Sequence, residues 1–197
     1  MAPCADRPAD LVFLVDGSER LGQDDFDRVR AFIEKVARRL PLAQDASDTM
    51  RSRVAVMQYG QANQHEMTSG FTHDLSVLTK RLEGMRYLDA SSDVTSAITH
   101  AVSNVLFSER VRQTRREAEV NFVFVTDGVT TTEGLKEVLG VMRKEQVVPM
   151  VVAMGNEVDK DVVMELAFRD HNAVFQGPDY THLSKQNFFD RFFRWVC

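Results

Sequence analysis

The sequence predicts an α/β fold with a mostly parallel sheet covered by helices on both faces. Three observations lead there. The runs DLVFLVD (residues 10–16) and VNFVFV (residues 120–125) are almost wholly apolar, as strands buried on both sides must be. Stretches between such runs repeat their apolar residues at helical spacing, and strands alternate with helices along the chain. At 197 residues, without a repeat, a linker or a low-complexity tract, the chain suits a single domain over residues 1–197.

Residues 10–16 form the first strand. Phe26, Val29, Phe32, Ile33, Val36 and Leu40 then mark an amphipathic helix, with Asp24 and Asp25 favourably placed at its N-terminal dipole. Polar residues 43–52 make a loop. RVAVMQYG (53–60) is a second strand, and HEMTS (65–69) is a short edge strand beside it. Residues 74–86 and 94–107 are helices flanking the turn-rich YLDASSD. The charged ERVRQTRREAE (109–119) is a loop, and VNFVFVTDG (120–128) is a third long apolar strand that also ends in an aspartate. A helix over 133–145, the strand VVPMVVAMG, a helix over 160–168, the strand NAVFQG and an aromatic helix complete the chain. In that last helix Phe188, Phe189, Phe192, Phe193 and Val196 share one face, which reads as core packing.

Charge and cysteine usage narrow the function classes. The net charge is −5 with both signs spread along the chain, which argues against a nucleic-acid binder built on a basic face. No apolar run reaches the length of a membrane span, and residues 1–10 lack the apolar core of a signal peptide. Cys4 and Cys197 stand at opposite ends of the chain. They suit a disulfide clasp between the termini, in an oxidising, secreted setting. Two unrelated thiols, or pairing with another chain, are the alternatives.

Ligands of such sheets bind outside the carboxyl ends of the strands, where strand order reverses. Asp16 and Asp127 both end long apolar strands, so central neighbouring strands would bring the two carboxylates to one crevice. Other chemistries lack their motifs. There is no GxGxxG after the first strand and no GxxxxGK[ST] anywhere, so no phosphate cradle is supported. The five histidines have no zinc spacing, Ser18 lacks the GxSxG elbow of a hydrolase nucleophile, and no N-x-[ST] sequon occurs. Arg110, Arg112, Arg115 and Arg116 form a basic loop, read as solvated, with a glycosaminoglycan contact as the functional alternative.

Three stretches carry a family resemblance: DGSER at the end of the first strand, SSDVTSAITHAV at a helix start, and VFVTDG at the end of the third long strand. In this order, on these elements, the chain resembles the von Willebrand factor type A domain family across its whole length. The segments VFLVDGSERLG, VARRL and FFDRFFRWVC further resemble the A-type domains of the collagen VI family. The resemblance implies a six-stranded, mainly parallel sheet with one antiparallel edge strand. It also implies a secreted extracellular-matrix module that contacts other collagen chains or matrix proteins.

Family members with an intact site hold Mg²⁺ or Mn²⁺ with a DxSxS motif, a threonine and a second aspartate. Carried over by residue, Asp16, Ser18 and Asp127 match and Asp93 stands at the threonine position, although a shift of one residue puts Ser92 there. Arg20 replaces the second serine. A guanidinium keeps its proton and has no lone pair for a cation. Arg20 is therefore expected to fill the crevice by pairing with Asp16, Asp93 or Asp127, leaving no cofactor, or at most weakly bound Mg²⁺ or Mn²⁺. Three readings compete: a non-catalytic matrix assembly module, which is favoured; a metal-dependent ligand binder or phosphatase-like enzyme; and an intracellular A-type domain of a larger complex.

Overall fold

The computed structural model describes residues 7–45 and 47–197. Its main sheet runs β3-β2-β1-β6-β7-β8. The strands are β1 (Ala9–Asp16), β2 (Arg53–Tyr59), β3 (His65–Thr72), β6 (Glu119–Val125), β7 (Val147–Met154) and β8 (Val174–Gly177). All pairings are parallel except β2 with β3, which is antiparallel and puts β3 at an edge. The predicted edge strand therefore exists and runs three residues beyond the expected end at Ser69. Every residue of β1 is buried, which is why that segment is apolar almost throughout.

Helices cover both faces. On one side α1 (Gln23–Arg39), α2 (Leu75–Gly84) and α6 (Gln186–Val196) enclose a core with Phe13, Val56 and Val152. Phe32 of α1 packs against three rings of α6, at 5.2 Å from Phe192, 6.0 Å from Phe188 and 6.4 Å from Phe189. The five apolar residues expected on the inner face of α6 are all buried. On the other side α3 (Val94–Ala101), α4 (Leu135–Lys144) and α5 (Lys160–Leu166) pack over Leu14, Phe122, Phe124 and Val151.

Two expectations need correction. The helix predicted over 94–107 is α-helical only to Ala101 and continues as a π-type turn, Val102–Leu106. The charged stretch predicted as a loop contains a small hairpin, β4 (Phe107–Ser108) with β5 (Val111–Arg112). Its two connecting residues, Glu109 and Arg110, have φ of 49° and 68°. Those signs fit the two-residue turn that matches strand twist, but the usual Asn-Gly or Asp-Gly signature is missing.

The strand order reverses between β1 and β6. Chain leaving β1 goes toward β2 and chain leaving β6 goes toward β7, so their carboxyl ends open a crevice. Asp16 and Asp127 lie at that opening.

Candidate functional site

Four loops meet above β1, β2 and β6. Glu19 N–H bonds the Ala90 carbonyl at 2.8 Å, and Ala90 N–H returns to Gly17 O at 3.2 Å. Asp93 N–H bonds Gly60 O at 2.9 Å, and Thr131 N–H bonds Ser92 O at 3.1 Å. Gly17 is required by close approach, because a Cβ there would lie 2.3 Å from the Gln58 side-chain oxygen. Gly128 has φ +77° and faces Asp159 O, which a Cβ would meet at 2.7 Å.

Asp16 is the floor of the crevice and is 4% exposed. Its Oδ1 accepts the Ser18 N–H at 3.1 Å, while Oδ2 accepts hydroxyls from Thr126 at 2.7 Å and Ser92 at 3.0 Å. No guanidinium bonds it. Burial pushes its pKa up to about 6; Thr126 and Ser92 oppose that shift, and the neighbouring Asp127 charge adds to it. The Tyr59 hydroxyl is buried nearby without a well-formed hydrogen bond.

Arg20 lies across the crevice on Asp127. Its Nε and one Nη donate to the two carboxylate oxygens at 2.8 and 3.2 Å, and that Nη also donates to Val129 O at 2.5 Å. Such a fork is the strong, orienting form of an arginine–carboxylate contact. The Arg20 loop is fixed from the side by Tyr87, whose hydroxyl donates to Ser18 O and accepts from Gly22 N–H.

Of the residues singled out from sequence, Asp16, Ser18, Arg20 and Asp127 come together. Asp93 does not join them. It caps α3, accepting the Ser96 N–H at 3.0 Å, and its neighbour Ser92 takes the place beside Asp16. Thr126, Tyr87 and Tyr180 belong to the site and were not singled out. Among the described residues no group of three or more His, Cys, Asp or Glu side chains is placed to hold a metal ion. Both Asp127 oxygens accept from Arg20, and one Asp93 oxygen accepts the Ser96 N–H of α3.

The basic loop is also not the open patch its sequence suggested. Arg115 is drawn inward to Asp10, with Nη2 2.9 Å from Oδ1 and its backbone N–H 2.8 Å from Oδ2. Arg112 bonds Thr114 and lies 3.6 Å from Glu145, leaving Arg110 and Arg116 as its freely exposed members. Cys197 is disulfide-bonded. Cys4, its expected partner, lies outside the described residues.

The profile of the von Willebrand factor type A domain matches residues 10–190. The chain belongs to that family. This A domain is 44% identical over 199 residues to a collagen alpha-2(VI) chain of Gallus gallus, covering 100% of this chain and 20% of that one. A collagen alpha-1(VI) chain of Gallus gallus is 26% identical, with 92% of this chain and 18% of the relative covered. Matrilin-2 of Mus musculus is 26% identical over 85% of this chain and 17% of its own length. The A domain thus spans about a fifth of the curated relatives, which are proteins of the extracellular matrix. Two structures of proximal thread matrix protein 1 from the mussel byssus share the fold, with TM-scores of 0.84 and 0.85 at 15% identity. Each match covers 98% of the A domain and 49% of the mussel chain, and one of those structures has a zinc-occupied MIDAS motif. No described helix is long and apolar enough to cross a membrane.

Proposed function

We propose that this A domain is a non-catalytic interaction and assembly module of a secreted, collagen VI-like matrix chain, and that its crevice works without a bound metal. The observation that supports the reading is the fork of Arg20 on Asp127, a positive charge on an aspartate that the family resemblance would give to an ion. The partners on this reading are other collagen chains or matrix proteins. A non-catalytic role is supported because, among the described residues, the Ser18 hydroxyl bonds no carboxylate and no histidine lines the crevice. The exposed Arg110 and Arg116 leave a smaller glycosaminoglycan contact than four arginines would offer.

A second reading, a residual Mg²⁺ or Mn²⁺ site, is favoured by the retained Asp16, Ser18 and Ser92 and by the zinc-occupied motif of the mussel protein. Isothermal calorimetry separates the two. The wild-type domain is expected to show no micromolar Mg²⁺ or Mn²⁺ binding, and Arg20→Ser is expected to gain it by restoring the serine and freeing Asp127. Micromolar binding to the wild type overturns the metal-free reading, and absence of any gain in Arg20→Ser removes Arg20 as its cause.

A further inference from the structure

Two half-buried imidazoles stack where the start of β3 meets α3. The rings of His65 and His100 have their centroids 4.5 Å apart and their planes 26° from parallel. Ser96 and His100 stand four positions apart on α3, so they share the face that His65 meets. Ser96 Oγ lies 3.0 Å from His65 Nε2, and the Ser96 backbone N–H bonds the Asp93 cap at 3.0 Å. The pair thus lies within a turn or two of the crevice loops without lining the crevice.

Asn104, from the π-type turn, fixes the state of His100. Its Nδ2 is 3.1 Å from His100 Nδ1 and 3.2 Å from the His100 carbonyl oxygen. A carbonyl only accepts, so the NH₂ end of the amide faces it. The ring nitrogen touched by the same NH₂ must then carry a lone pair rather than a proton. Protonating Nδ1 sets N–H against N–H, and turning the amide over sets oxygen against oxygen. A second charge 4.5 Å from the first is also unfavourable, so the stack is built for neutral rings. Burial lowers both pKa values from the ordinary 6.5, and for His65 the neighbouring ring adds to the effect. Asp93, at the start of α3, is the charge that opposes this at His65. Glu66 sits with Gln58 on the opposite face of β3, and Arg81 of α2 bonds Ser69 Oγ. Among the described residues no charged side chain of α4 or of the β4–β5 hairpin bonds either ring.

We propose that the stacked pair is a proton-operated latch: neutral, it holds the start of β3 on α3, and protonated, it releases that strand end together with the 60–64 turn. That turn is closed by the Gly60 N–H on Gln64 O at 2.9 Å, and its Gly60 carbonyl holds the Asp93 N–H. Above pH 6.5 the neutral pair contributes its full stabilisation. As pH falls below that value the unfolded chain takes up protons before the folded pair does, and the contribution is lost. Asp16 titrates in an overlapping range with the opposite sign, since acidification relieves its buried charge. Loosening of β3 on acidification is therefore not the work of Asp16. The latch is independent of whether the crevice holds a metal.

The test follows the Cε1–H signals of both rings in ¹³C-correlation spectra of the whole domain from pH 7.5 to pH 5, with hydrogen exchange at each end. Both rings are expected to titrate below pH 6.5. Over the same range the amides of Gly60 and of residues 65–67 are expected to lose protection several-fold relative to those of β1. Asn104→Asp, at an exposed position, offers an acceptor to Nδ1–H and is expected to raise the His100 midpoint by about one pH unit. His100→Gln is expected to keep its spectral dispersion and to make the protection of β3 insensitive to pH over this range. A midpoint at or above pH 6.5 for either ring, or β3 protection that stays constant while the rings titrate, overturns the proposal. So does an unmoved His100 midpoint in Asn104→Asp, or the same acid loosening in His100→Gln.

Discussion

The two ends of β1 carry two buried aspartates that the protein treats in opposite ways. Asp10 is fully buried and meets two arginines. Arg53 forks onto it at 2.9 and 2.9 Å, and Arg115 reaches it with Nε at 3.1 Å and Nη2 at 2.9 Å. Asp16, six positions along, is nearly as buried but receives only hydroxyls and one N–H. The cation nearest to it, Arg20, is bonded to Asp127 instead. A buried carboxylate with its counter-charges in place is a joint between strands and loops. One left with neutral partners keeps its charge at a cost, which is the condition of a site.

The largest effect should come from the compensated end. Asp10→Asn leaves two arginines, 20% and 11% exposed at their side chains, facing each other without an anion. Removing one partner of such a buried group costs about 3–5 kcal/mol. Urea denaturation at neutral pH measures this, and a loss below about 1 kcal/mol, the level of an exposed ion pair, would erase the contrast between the two ends.

The opposite substitution at the other end should stabilise. Asp16 has its pKa raised from 3.8 to about 6, so the folded state holds its proton more tightly than the unfolded chain does. Below about pH 3 both states are largely protonated and the residue costs almost nothing. As pH rises from about 4 through 6 the unfolded state ionises first and stability falls, reaching a loss of about 3 kcal/mol above pH 7. Asp16→Asn keeps the side-chain shape and removes that dependence. Denaturation curves at pH 3, 4, 6 and 8 should show the difference between variant and wild type smallest at pH 3 and growing up to pH 8, with the variant gaining stability relative to wild type. A wild type that gains stability over this window relative to Asp16→Asn would mean that Asp16 is ion-paired after all.

Much of this was legible in the sequence, for reasons particular to each residue. Strands β1 and β6 announced themselves because both faces are covered, and their terminal aspartates stood out against apolar runs. That the two strands are neighbours was a condition the sequence left open, and the strand order β2-β1-β6 meets it, bringing Asp16 and Asp127 to one crevice. Arg20 was also readable, because its charge and donor geometry exclude metal ligation whatever the fold. Asp93 caps α3, for which the sequence carried a signal, an aspartate just before an apolar, helical stretch, and the one-residue shift weighed from sequence is the one that brings Ser92 beside Asp16. The Arg115 contact was hidden for a different reason. Its partner Asp10 is 105 positions away, and local composition shows only four arginines in a charged stretch of eleven residues. The hairpin at residues 107–112 was hidden because its positive-φ turn is built from Glu109 and Arg110, without glycine or asparagine. Tyr87 enters the site from an irregular segment and Tyr180 from the start of a short 3-10 turn, and neither carries a periodic pattern.

The smallest predicted effect sharpens the contrast most directly. Tyr87 holds the loop between Asp16 and Arg20, accepting the Gly22 N–H at 3.0 Å and donating to Ser18 O, while its ring stacks on Phe26 at 5.2 Å. Tyr87→Phe keeps the stack and deletes both hydrogen bonds. Neutral bonds at a half-buried position contribute about 1 kcal/mol net, because water can replace part of what is lost. Urea denaturation should therefore register about a quarter of the Asp10→Asn loss, and hydrogen exchange should show the Gly22 amide opening faster while amides of β1 keep their protection. If Tyr87→Phe costs as much as Asp10→Asn, then the loop that carries Arg20 is as rigidly built as the ion-paired end. The crevice would then be a second structural joint, and its uncompensated aspartate would no longer mark it as a place where a partner binds.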